Sequence, residues 1–208
     1  MLQISAIEPA TLALLKKLMS LTELNQFNLA GGTALALRYG HRLSVDLDLF
    51  SNSPFSNNEI ITLLENHFPT FTYQNSHNPI GIFGYIDNIK VDFVKYHHHP
   101  PIGDIVLDEG VRLFSDKDLI AMKINAVLRR AVKKDFWDIA ELLNHYSLKD
   151  VITFYDLKFK TQQLQISIPY AITYFEDAEE SENPVSLREQ TWEGVKSLIK
   201  KKVNDFLK

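Results

Sequence analysis

The chain has 208 residues, 45% of them hydrophobic and 23% charged, which suits one large folded unit or two small ones packed together. It has no cysteine, which excludes disulfides and thiolate metal sites. The net charge of −4 argues against whole-surface attraction to nucleic acid and leaves only local basic patches for that purpose. No apolar run approaches membrane-spanning length, and the start reads as an amphipathic helix rather than a leader, so a cytoplasmic protein with no membrane partner is expected.

In chain order, residues 8–24 fit a helix with Pro9 in its first turn. Phe27–Ala30 reads as a short strand that feeds a helix over 31–39. A strand over 43–50 follows, then a helix from Ser56 or Asn57 through His67. Three β-like runs come next, at 70–74, 80–86 and 89–96, with Asp87-Asn88 as a hairpin turn between the last two. Residues 97–104, with His97-His98-His99 before two prolines, read as a polar loop, because successive residues do not share a face. From Ser115, a helix cap, the pattern is helical throughout: 116–131, 135–146, 148–158, 168–178 and 186–207. The expected organisation is α+β, with an α/β catalytic core over 1–114 and a helical region over 115–208 that sends Lys123 and Asp138 into the site.

The chemistry concentrates in residues 29–50, LAGGTALALRYGHRLSVDLDLF. In a strand here, Val45, Leu47 and Leu49 face the core, while Asp46, Asp48 and Phe50 face the other way. Two like charges that close repel, and a divalent cation such as Mg²⁺ or Mn²⁺ relieves the repulsion through hard oxygen ligands. Gly31 and Gly32, at the start of a helix, offer backbone N–H groups to phosphate, and Thr33 adds a hydroxyl. Phosphate cradle and metal-binding carboxylates together point to nucleotidyl or phosphoryl transfer.

These motifs resemble the DNA polymerase beta-like nucleotidyltransferase superfamily, and more narrowly the AbiEii/AbiGii toxin family. The matching runs are Gly31-Gly32-Thr33-Ala34-Leu35, Gly40-His41-Arg42 and Ser44 through Phe50, continued in IKVDFVKY (89–96) and in residues 118–143. The resemblance implies a mixed sheet with flanking helices, followed by a helical bundle. It implies metal ligands at Asp46, Asp48 and Asp92, and a triphosphate contact at Lys123, in its Met122-Lys123 context. It also implies a functional acid at Asp138, which would orient Lys123 or take the proton of the attacking hydroxyl. Asp135 reads as a helix cap with a surface ion pair. Arg42 would reach a substrate phosphate or brace the Asp-bearing strand. Arg129, Arg130 and Lys134 are phosphate-contact candidates. The expected reaction is transfer of NMP from an NTP to an RNA acceptor, plausibly tRNA, by the toxin of a type IV pair whose antitoxin acts without a stable complex. The alternatives are modification of a small molecule, as by antibiotic nucleotidyltransferases, and a regulator that binds NTP without turnover.

Overall fold

In the computed structural model, which describes Met1–Lys208, the first helix is α1, Pro9–Ser20, followed by a 3-10 turn at Thr22–Leu24. Strand β1, Phe27–Ala30, is buried along its whole length and runs directly into α2, Gly31–Tyr39. Gly40 ends α2 in the left-handed region, φ 62°. Strand β2 is Leu47–Ser51. Helix α3, Asn57–His67, is capped by Ser56, whose hydroxyl accepts from the Glu59 amide. Strands β3 (Thr72–Tyr73), β4 (Gly81–Ile86) and β5 (Ile89–Lys95) follow. Asp87 and Asn88 both have positive φ, 51° and 64°, as a two-residue hairpin with the twist of its strands requires.

The sequence pattern assigns nothing to residues 105–114. The structure places β6 (Val106–Asp108) and β7 (Val111–Leu113) there, joined at Glu109-Gly110, both with positive φ. Each strand is three residues long, too short to display alternation. The remaining helices are α4 (Asp116–Arg129), α5 (Lys133–His145), α6 (Leu148–Lys158), α7 (Ile168–Thr173) and α8 (Trp192–Leu207). The last helix begins six residues later than expected. Residues around Ser186 instead bridge to Arg42: the Leu43 amide donates to the Val185 carbonyl and the Leu187 amide to the His41 carbonyl.

One mixed sheet has the order β3-β4-β5-β2-β1-β7-β6. The β2–β5 and β1–β7 pairs are parallel and the rest antiparallel. The β2–β5 register sets Leu47 against Val91, Asp48 against Asp92, and Leu49 against Phe93. All four apolar members are at most 1% exposed, so the carboxylates must emerge on the opposite face. The expected strand over 43–50 is corrected in one respect. Val45 is 52% exposed and precedes the strand, as does Asp46, because Leu43 and Ser44 pair with Val185 and Ala6 instead of extending β2. A continuous core runs from Leu2 to Val203 and joins the sheet to α4–α8.

Candidate active site

Asp48 is in mid-strand on β2, and its neighbour across the parallel ladder is Asp92 on β5. Asp46 stands two residues before Asp48. Burial and the nearby Asp92 push the Asp48 carboxyl up from its ordinary value, and Lys90 only partly opposes this. Burial also pushes Asp92 up, against the pull of a 2.6 Å bond from Lys90 Nζ to its Oδ2. The other oxygen of Asp92, Oδ1, is buried with no hydrogen-bond partner. Lys134 Nζ stands 3.7 Å from Asp46 Oδ2.

The glycines border these carboxylates. Gly31 has φ 68°, and a Cβ added to it would overlap the Asp48 carboxylate; one added to Gly32 would overlap the Arg42 guanidinium. Helix α2 has no side-chain cap at its N-terminus, and Gly31 and Gly32 line the cleft. Its first amides therefore face the cleft unsatisfied, which suits an anion. Thr33 departs from expectation. It is 1% exposed, and its hydroxyl is bonded to Ser44 Oγ at 2.8 Å and to the Asp46 carbonyl. It therefore fastens the segment that carries Asp46 rather than presenting a hydroxyl to phosphate.

Behind the cleft lies a buried charged network. Asp138 is fully buried; His41 Nε2 lies 2.7 Å and Arg42 Nε 2.7 Å from its Oδ1, and Arg42 donates again to its Oδ2 at 2.9 Å. Lys123 Nζ is 2.7 Å from the same Oδ2 and 2.8 Å from Asp135 Oδ1. Arg42 and Lys123 hold the Asp138 carboxyl well below the usual carboxylate range, although burial alone would raise it. With both oxygens filled and no solvent exposure, Asp138 orients Lys123 and Arg42 and is not placed to take a proton from an incoming hydroxyl. Of the two roles expected for Arg42, the geometry supports bracing: its guanidinium is tied to Asp138 and to the Leu43 carbonyl rather than left free for nucleotide.

The capping role expected of Asp135 is corrected. The N-cap of α5 is Val132, with no side-chain cap, and Asp135 is instead a buried partner of Lys123 and of Arg130 at 3.2 Å. His41 and Lys90 carried no assigned role in the sequence reading. Lys90 was findable, since a spacing of two places it on the Asp92 face. The His41 contact to Asp138 joins residues 97 apart and leaves no local signal.

Helix α4 contributes two adjoining stripes. Lys123 and Arg130 face the carboxylates and the glycines. Met122, Asn125 and Arg129 border a more apolar recess with Phe50, Tyr96 and Leu119. Lys133, the neighbour of Lys134, turns towards Trp192, with Nζ 5.8 Å from the ring centroid. His97-His98-His99 lies in the loop after β5, as expected. No three His, Asp or Glu side chains form a preassembled metal cage, and one oxygen of Asp92, Oδ2, carries Lys90.

Residues 13–200 match the family model described as nucleotidyl transferase AbiEii toxin, type IV TA system. The chain belongs to this family. It is a nucleotidyltransferase, and its family is one of toxins of toxin–antitoxin systems. The AbiEii match extends beyond the motif-bearing region on both sides, into α1 and α8. A relative from Aquifex aeolicus, an uncharacterized protein, is 33% identical over 202 residues, covering 93% of this chain and 94% of its own. Among solved structures, MenT4, a nucleotidyltransferase toxin of Mycobacterium tuberculosis H37Rv, superposes with a TM-score of 0.60 at 15% identity, covering 92% of this chain and 82% of its own. The antibiotic-resistance factor ANT(2'')-Ia gives 0.54 at 15% identity, with 70% of this chain and 89% of its own covered. At these identities the two structures attest the AbiEii chain's fold and nothing finer.

Proposed function

We propose that the protein transfers NMP from an NTP to a hydroxyl of an RNA, with tRNA as the favoured acceptor, in a reaction that depends on Mg²⁺ or Mn²⁺. The supporting observation is the register of Asp48 with Asp92, beside Asp46 and facing the glycine turn. The donor set fits a hard divalent ion: three carboxylates, of which Asp92 keeps a buried, unpartnered oxygen and Asp48 is pushed up for want of compensation. Such an ion, held by Asp46, Asp48 and Asp92, would neutralise charge on the triphosphate and favour attack at the α-phosphorus.

The chain's own groups account for the rest. The α2 amides at Gly31 and Gly32 hold triphosphate oxygens. Lys123, fixed by Asp135 and Asp138, and Arg130 beside it, direct positive charge at the same oxygens. The recess bordered by Phe50, Tyr96, Leu119 and Met122 takes the nucleoside. The acceptor oxygen forms a bond to the α-phosphorus, the α–β bridging bond breaks, and pyrophosphate leaves in line. Asp92, across the β2–β5 ladder from Asp48, orients the acceptor hydroxyl and receives its proton.

RNA is favoured over a small molecule because the rim of the cleft carries Arg129, Arg130 and Lys134 rather than an excess of acids. A type IV pairing suits an antitoxin that acts without a stable complex. Incubation with each labelled NTP, Mg²⁺ and total cellular RNA tests the reading. One NTP is expected to label an RNA band, with pyrophosphate released. Label appearing only on a small-molecule alcohol would replace the RNA assignment, and NTP binding without any transfer would make the chain a regulator.

A further inference from the structure

Lys90 and Asp92 are two residues apart on β5 and share the face that Asp48 occupies on β2. Asp46, two residues before Asp48, lines the same cleft as Lys90. Three carboxylates and one ammonium are thus gathered along that cleft. That ammonium is not swung out to solvent. Lys90 Nζ is 2.6 Å from Asp92 Oδ2, although its side chain is 40% exposed and has room to withdraw. The remaining oxygen of Asp92 is buried and unpartnered. The ammonium held on Oδ2 repels a divalent ion by its charge and occupies the oxygen the ion would need.

We propose that Lys90 is a resident cation of the acidic cluster: it holds the Asp92 oxygen that a divalent ion would otherwise take, so the resting site offers an ion Asp46 and Asp48 and gains Asp92 only when Lys90 withdraws. This rests on the metal-dependent reading above. It explains why a lysine stands beside Asp92 in a cleft lined by three mutually repelling carboxylates. It also makes Lys90 a positioning residue, acting through Asp92.

The test is Mn²⁺ binding, followed by calorimetry and by the free-Mn²⁺ electron paramagnetic resonance signal, together with thermal unfolding in EDTA. The variants are Lys90→Met and Lys90→Gln, the second keeping a donor to Asp92 without the charge, and Asp48→Asn as reference. Wild type is expected to bind one Mn²⁺. Both Lys90 variants are expected to bind it at least tenfold more tightly, or to take up a second ion, and to melt at lower temperature in EDTA with the loss reversed by Mn²⁺. Wild-type stoichiometry and affinity in both Lys90 variants, with binding abolished in Asp48→Asn, overturns the Lys90 assignment alone. Unchanged Mn²⁺ binding in Asp48→Asn overturns the metal reading and this inference with it.

Discussion

The Asp48 carboxylate occupies the space into which a side chain at residue 31 would project, so Gly31 and Asp48 are sterically coupled across the β2–α2 junction. Gly31 therefore answers two demands at once. Its positive φ turns β1 into α2 within a single residue, and its bare Cα lets a strand carboxylate reach the first amides of that helix. The carboxylate proposed to hold the ion and the N–H groups proposed to hold phosphate are thus brought side by side by one backbone turn.

Gly31→Ala is expected to abolish nucleotidyl transfer and to destabilise the fold by about 1–3 kcal/mol, the scale for a non-glycine residue forced into a strained backbone region. Urea unfolding measures the cost. In an Asp48→Ala background the steric part disappears, so Gly31→Ala should cost less there. Equal costs in the two backgrounds would show that backbone strain alone is responsible.

Asp48→Asn should remove activity while keeping or raising stability, because it removes a buried charge that burial and Asp92 disfavour. The sign follows from the raised folded value of Asp48: the native state takes up a proton before the unfolded chain does. Ionised Asp48 thus penalises the fold above its folded value, and the penalty is relieved as pH falls towards the ordinary value near 3.8. Asp138 has the opposite sign, its stabilisation being complete above 3.8 and lost as pH falls below it. Melting curves across mild acid should therefore show a gain in wild type that is smaller in Asp48→Asn. An equal gain in both would assign the effect to other groups.

Lys123, proposed above as a phosphate contact, is also the counter-charge of two buried acids. From sequence, its truncation looks tolerable, because a lysine on an apolar helix face snorkels. In the fold it is 5% exposed and pairs with two buried carboxylates. Lys123→Ala leaves Asp135 and Asp138 short of a counter-charge and should cost about 3–5 kcal/mol, the range for breaking a buried pair by removing one partner. Adding Asp135→Asn should recover part of that loss. Near-wild-type stability of Lys123→Ala would instead mean that water enters and solvates the network.

The legible parts of the fold carry local signatures. β1, α2 and the β4–β5 hairpin are announced by Gly31, Gly40 and Asp87-Asn88, where the backbone's positive φ favours those residue types. The Asp48–Asp92 pairing follows once both strands are placed, because alternation fixes which side each carboxylate takes. The buried network was only half legible. The 3-residue spacing of Asp135 and Asp138 puts both near Lys123, yet nothing local separates a helix cap from a buried ion pair, since that difference arises when α5 packs against α4 and His41. Thr33 misled for a similar reason: its hydroxyl is diverted by Ser44 and the Asp46 carbonyl, a contact that exists only after the 41–46 segment folds back.

The choice of acceptor rests on the cleft rim. Arg130 and Lys134 have side chains 59% and 46% exposed, and they flank Asp135 and Asp46 rather than the core. Exposed cations of this kind bind phosphate by releasing counterions, so RNA affinity should fall steeply as salt rises from about 50 to 200 mM. Lys134→Glu should flatten that dependence by about one unit of the log–log slope while leaving NTP affinity within a few-fold. Arg130→Glu should do the same and also weaken NTP binding, because Arg130, unlike Lys134, also lines the apolar recess beside the glycine turn and sits close enough to Asp135 to repel it once its charge is reversed. Filter binding of tRNA across a salt series, beside NTP titration at fixed salt, separates the two effects. A salt slope unchanged in Lys134→Glu would remove the rim from the RNA path and place the acceptor elsewhere on the molecule.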